Sequence, residues 1–206
     1  MSARTHAGPA LLVVHGWPGA GKSTIAAAIA AELGWPVFAK DTVKEALLDT
    51  LGARDRAWSG ELSRAACAVI VALAGDGLRA GRSCILEANF DPGAWSQPLR
   101  ALAALARCAA QLHCVAEPAT LLERLARRAH AAQRHAGHGD AALLEEMRAR
   151  FSTGRQAALD LGVPVLTFDT GVVSATPQAQ ARVILGALAR VCSAFGTPDA
   201  APSLLA

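Results

Sequence analysis

Residues 10–24, Ala-Leu-Leu-Val-Val-His-Gly-Trp-Pro-Gly-Ala-Gly-Lys-Ser-Thr, leave this chain few folds to choose from. The apolar run 11–14 reads as a strand, residues 16–21 as a glycine-bearing turn, and the alanine-rich segment 22–32 as a helix. The spacing is G-x-x-x-x-G-K-[ST], in which the loop Gly16 to Gly21, Pro18 within it, turns the backbone N–H groups of Gly16, Gly19, Ala20, Gly21 and the helix start onto phosphate oxygens. Lys22 is expected to reach the β/γ-phosphates, and Ser23, followed by Thr24, to ligate Mg²⁺. A glycine-rich turn that merely caps a helix is the plain alternative. The strand before the loop and the helix after it favour nucleotide binding.

The rest of the chain repeats the strand and helix alternation. Strands are expected at 11–14, 36–39, 83–90, 109–115 and 163–168, with helices at 22–32, 42–52, 61–78, 95–107, 118–130, 141–161 and 176–193. This alternation predicts an α/β fold, a parallel sheet with helices on both faces. Ligands in such sheets bind beyond the C-terminal strand ends, where Gly16, Asp41 and Glu87 all fall. Residues 130–140, with Gln133, Arg134, His135, Gly137 and His138, read as a mobile loop within a lid spanning about 125–155. Residues 1–195 form one expected domain, and the Pro/Ala/Ser-rich end, 196–206, is expected to fray.

Composition narrows the partners. Hydrophobic residues make up 52% of the chain, but Arg, Asp, Glu or Gly interrupts the apolar stretches, so a soluble protein without a signal-peptide core is expected. A net charge of +3 suits an anionic nucleotide and falls short of a nucleic-acid footprint. Cys67, Cys84, Cys108, Cys114 and Cys192 lie in apolar segments without metal-type spacing, so they read as small hydrophobes in a reducing cytoplasm.

Phosphoryl transfer requires a group to orient or deprotonate the attacking hydroxyl. Asp41 is the candidate base; its alternative role is to cap the following helix. Lys44, one helical turn on, is placed to hold an anionic or polar acceptor. Glu87 and Asn89 end a hydrophobic strand where an acid of the Mg²⁺ shell is common, with Glu87 acting through water or on the acceptor. Arg124 and Arg128 share one helix face and are expected to clamp phosphates, with Arg128 neutralising charge during transfer; a solvated basic face is the alternative. Arg134 is a further lid candidate on the acceptor side. His130, His135 and His138 lack the other usual ligands of a metal site and read as lid residues. Arg54, Arg56, Trp58, Arg64 and Phe90 are expected to shape the acceptor pocket.

Together, residues 16–24, Lys40-Asp41 with Lys44, residues 86–90, the Arg124/Arg128 pair and residues 134–140 resemble the small P-loop kinases of the AAA_33 type. That group is related to zeta toxins, chloramphenicol phosphotransferase, gluconate and shikimate kinases and the 5′-kinase domain of polynucleotide kinase. The resemblance covers residues 10–195 and implies a three-layer P-loop NTPase fold with strand order 2-3-1-4-5 and a lid. It implies that Arg124 packs on adenine, that Arg128 contacts phosphate, and that Asp169-Thr170-Gly171 borders the adenine edge. It also implies that Asp41 activates the acceptor hydroxyl. Lys44 stands where polynucleotide kinases carry an arginine, and Ala136 where the AAA_33 lid usually has proline.

The reading is therefore an ATP- and Mg²⁺-dependent kinase acting on a hydroxyl of a small molecule, of the sugar, nucleotide-sugar or antibiotic class. A polynucleotide 5′-hydroxyl kinase and a non-catalytic, nucleotide-gated regulatory protein are the alternatives.

Overall fold

The computed structural model describes residues 8–129, 135–138, 140–151, 156–172 and 175–196. Five strands, β1 (Ala10–His15), β2 (Val37–Ala39), β3 (Cys84–Glu87), β4 (Cys108–Val115) and β5 (Val165–Asp169), form one sheet in the order β2-β3-β1-β4-β5. Every pairing is parallel. The helices are α1 (Lys22–Leu33), α2 (Lys40–Leu51), α3 (Arg56–Arg79), α4 (Pro92–Ala103), α5 (Pro118–Ala129), α6 (Asp140–Phe151) and α7 (Pro177–Ala189).

β1 is buried along its whole length because it is central and covered on both faces. Its side chains alternate. Leu12 and Val14 enter a core with Ile25 and Ile29 of α1 and Ile184 and Leu188 of α7, whereas Leu11 and Val13 enter another with Ile70 and Leu78 of α3 and Leu99 of α4. Val14 lies beside Glu87 on one side and Leu112 on the other, and Ala39 lies beside Glu87. This register brings the C-terminal ends of β1, β2 and β3 to one level.

Local chemistry sets the helix boundaries. Asp55 accepts from the N–H of Trp58 to start α3, Asp91 from that of Ala94 with Pro92 in the first turn of α4, and Thr176 from that of Ala179 with Pro177 behind it. Gly34 closes α1 in the left-handed conformation.

Several expectations are corrected. The helix expected over 141–161 is described over Asp140–Phe151, and residues 156–161 are non-helical, because Leu159 and Leu161 turn into the core beside α3 and α4. α3 runs through Gly75 and Gly77 and begins upstream of the expected start, within the polar stretch, because Asp55 caps it there. α4 starts earlier and stops earlier than 95–107. Cys108 and Cys192, 84 residues apart, are joined in a disulfide between the start of β4 and the C-terminal end of the chain's described part, whereas Cys67, Cys84 and Cys114 are free and buried. By length and composition alone α3 is apolar enough to cross a membrane, a test that core helices also pass. Residues 197–206 lie outside the described residues, as do 130–134, Arg134 among them, 139 and 152–155 of the expected lid.

Candidate active site

The phosphate-binding loop is held by backbone geometry that side chains would spoil. Gly16, Gly19 and Gly21 all have positive φ, and a Cβ on Gly16 would lie 2.2 Å from the carbonyl oxygen of Cys114. Lys22, the first residue of α1, is buried and donates from Nζ to the carbonyl of Trp17 at 3.0 Å. Burial pushes its pKa down, while the Glu87 carboxylate opposes that shift.

Glu87 reaches the loop from the end of β3. Ser23 Oγ donates to Glu87 Oε2 at 3.1 Å, across 64 residues of sequence. Burial raises the Glu87 pKa, with Lys22 the strongest opposing influence. A hydroxyl and a carboxylate side by side next to a phosphate-binding loop are the hard oxygen donors that Mg²⁺ prefers. Among the described residues no group of three or more His, Cys, Asp or Glu side chains converges on a metal position. This donor set fits an ion completed by phosphates and water, not a dedicated protein cage.

Asp41 sits in the first turn of α2, whose N-cap position is Ala39, so it does not cap that helix. Lys40 Nζ lies 2.8 Å from Asp41 Oδ1 and donates to Asn89 Oδ1 at 2.8 Å, linking the end of β2 to the segment after β3. Lys44 is 3% exposed and donates to Ser59 Oγ at 2.7 Å. Ser59 passes the contact on, donating to the carbonyl of Gly137 at 3.1 Å.

The short helical turn Ala136–His138 docks on α2. His138 Nε2 lies 2.7 Å from Glu45 Oε1 and His135 Nε2 lies 3.1 Å from Asp49 Oδ1, the two carboxylates being one helical turn apart. Gly137 between them leaves room for Leu48, whose Cδ2 would lie 2.7 Å from a Cβ there. Farther along the lid, Arg56 makes a bidentate pair with Glu146, both contacts at 2.7 Å, and Phe151 packs on Trp17 of the loop with ring centroids 4.6 Å apart.

On the opposite side, Arg124 donates to Thr170 Oγ1 and to the Thr170 carbonyl at 2.9 Å each, and to the carbonyl of Gly19 at 3.3 Å. It thereby ties α5 to the loop and to the segment after β5. Arg128, one turn on, lines both the central cavity and an adjoining cleft bordered by Gly21, Thr24, Arg124, Thr170 and Gln180.

A cavity of about 280 Å³ joins these pieces, lined by Pro18, Gly19, Gly21, Lys22, Ser23 and Thr24 on one side and by Asp41, Lys44, Glu87 and Asn89 on the other. Of the five expected pocket-shaping residues, Arg56 lines the cavity, whereas Phe90 is buried against Trp95 and Arg54 stacks over Trp58. Sequence reading gave Lys40 no role of its own and missed Ser59, Ser63 and the acids Glu45 and Asp49. Only the helical spacing of Glu45 and Asp49, opposite two lid histidines, offered a signal.

The AAA_33 family, an AAA domain, matches residues 11–153. The chain belongs to it. Within solved structures, this AAA_33 protein is similar to a candidate kinase from Chloroflexus aurantiacus J-10-fl, with 34% identity and a TM-score of 0.75, covering 85% of this chain and 96% of that one. It also resembles a sugar kinase from Janibacter sp. HTCC2649 (18% identity, TM-score 0.59, 92% and 99% covered). A third similar structure is Kti12 of Chaetomium thermophilum in complex with ADP-AlF3 (20% identity, TM-score 0.57, 86% and 98% covered). The latter two likenesses show the P-loop kinase fold that the sheet order of this AAA_33 chain displays. A search of curated proteins returns no match.

Proposed function

We propose that this chain is an ATP- and Mg²⁺-dependent kinase that transfers the γ-phosphate to a hydroxyl of a small polar molecule, of the sugar, nucleotide-sugar or antibiotic class. The observation that carries the reading is that Lys22 and Asp41 line one cavity, with Lys44 and Asn89 on the acceptor side. The 34% likeness to a candidate kinase supports it.

In this reading the loop amides and Lys22 hold the β- and γ-phosphates, and Arg128 offsets the charge that spreads over the transferring group. Arg124 keeps the loop and the Thr170 segment in place around the base. Ser23 and Glu87 would hold Mg²⁺, which when bound neutralises phosphate charge. Asp41 accepts the proton of the acceptor hydroxyl as that oxygen bonds to the γ-phosphorus and the bond to the β,γ-bridging oxygen breaks, releasing ADP. Lys44 orients the acceptor, Lys40 fixes the Asp41 carboxylate, and Arg134 of the lid is assigned to the same side. The docked lid turn excludes water that would otherwise compete. Cytoplasmic ATP makes that compartment the working location.

Incubation with γ-labelled ATP, Mg²⁺ and two acceptor panels tests the reading. Label is expected on a member of a panel of hydroxylated metabolites and antibiotics. Label on 5′-hydroxyl oligonucleotides would replace it with a polynucleotide kinase, and nucleotide binding without label on either panel would favour a regulatory role.

A further inference from the structure

α3 is more apolar than its packing requires. Only 33% of its most apolar eighteen-residue stretch is buried. The inner face, Cys67, Ile70, Ala74 and Leu78, lies in the core shared with β3 and α4. The outer face exposes Ala65, Ala68, Val69, Ala72 and Leu73, with Val69 at 41% and Leu73 at 46% exposure. A contiguous exposed patch of this kind marks a surface that something covers.

The charges at its two ends say what. Exposed Glu61 and Arg64 stand at one end, exposed Asp76 and Arg79 at the other. The midpoint between Glu61 and Arg79 is residue 70, and so is the midpoint between Arg64 and Asp76. A second copy of α3 laid antiparallel, with a two-fold axis at the level of residue 70, therefore sets Glu61 against the partner's Arg79. The same operation brings Arg64 and the partner's Asp76 to one level along the axis but on opposite sides of the seam, so the Glu61–Arg79 pair, which occurs twice by symmetry, is the one that meets across it. Between them Ala68 faces the partner's Ala72, flanked by Val69 and Leu73. A parallel arrangement would oppose Glu61 to Glu61 and Arg79 to Arg79, which is repulsive. A bilayer surface fits less well, because the rim holds two acids and two bases and lacks the cationic excess of membrane-surface helices.

We propose that the outer face of α3 is the two-fold interface of a homodimer, in which α3 packs antiparallel on α3 of a second copy. The inference is independent of the catalytic reading. Arg79, 3.1 Å from Asp76 of its own helix, then bridges that acid and the partner's Glu61. α3 also carries Arg56, Ser59 and Ser63 to the acceptor side of the cavity, so the interface braces the helix behind that wall.

Sedimentation equilibrium of the full chain across the micromolar range tests this. The wild type is expected to dimerise. Glu61→Arg alone and Arg79→Glu alone each weaken the dimer by roughly tenfold, since two symmetric pairs turn repulsive. The double variant carrying both changes restores the wild-type dissociation constant. Joint Val69→Glu and Leu73→Glu substitution gives a monomer whose thermal melt shows that the fold is kept. A wild type that stays monomeric, a double charge swap that fails to recover association, or a monomer that instead binds phosphatidylcholine/phosphatidylserine vesicles would each overturn the proposal.

Discussion

His15 should make this protein sensitive to mild acid. The residue is fully buried at the end of β1, its ring stacked on His113 with centroids 4.6 Å apart. Gln111 fixes its tautomer. The amide Nε2 donates to the Leu159 carbonyl at 2.9 Å and Oε1 accepts from the Leu159 N–H at 3.2 Å, so Oε1 can only accept from His15 Nε2, at 3.0 Å. Nδ1 then carries the bare lone pair and meets no partner among the described residues. A proton added there would be a buried, unpaired N–H. Burial above all, then His113, and Lys22 to a smaller degree, push the His15 pKa from 6.5 to about 3, while the Gln111 hydrogen bond opposes the shift. An imidazole depressed in the folded state is neutral there, so unfolding takes up a proton once the pH falls below 6.5. Stability from this group is complete above pH 6.5 and declines as the pH falls towards 3. By pH 5 the loss relative to pH 8 is about 2 kcal/mol. Urea unfolding of the wild type and of His15→Gln at several pH values between 8 and 5 measures it. The wild type should lose about 2 kcal/mol more than the variant over that range. Parallel pH profiles would refute the reasoning, whatever the variant's absolute stability.

Further predictions concern the cavity. Asp41→Asn should reduce phosphate transfer roughly 10²- to 10⁴-fold while nucleotide affinity measured by calorimetry stays within about threefold. Glu87→Gln should raise the Mg²⁺ concentration needed for half-maximal turnover by about tenfold, measured by Mg²⁺ titration at saturating ATP. Gly16→Ala forces a Cβ to within 2.2 Å of the Cys114 carbonyl at a φ of 146°. It should cost about 3 kcal/mol or more, visible as a lowered urea midpoint. Arg124→Ala removes the contacts to Thr170 and Gly19 and should weaken nucleotide binding about tenfold, read by titration with a fluorescent ATP analogue.

What the sequence made legible follows from the range of the interactions involved. The loop of residues 16–24 is written in local terms, glycines at fixed offsets between an apolar run and a helix, and the structure keeps that order. The five strands were visible because each is a short apolar run next to a helix-period segment. The strand order came from family resemblance, since nothing local in β3 says that it inserts between β1 and β2. The cavity's polar links were hidden for the same reason. Lys44 to Ser59, Ser59 to Gly137, and Arg56 to Glu146 join residues separated by 15, 78 and 90 positions. The end of α6 was misread because helix-compatible residues 156–161 are drawn into the core through Leu159 and Leu161, a tertiary demand that propensity does not record. The Cys108–Cys192 pair was equally invisible, its partners lying 84 residues apart.

Phosphorus-31 NMR of the protein with Mg²⁺-ATP and the acceptor panel tests the central claim most directly, because it reports where the γ-phosphate goes. A phosphomonoester resonance that grows in step with ADP, and fails to grow with Asp41→Asn, is the predicted result. ADP accompanied by inorganic phosphate alone, at the same rate in wild type and variant, would contradict it.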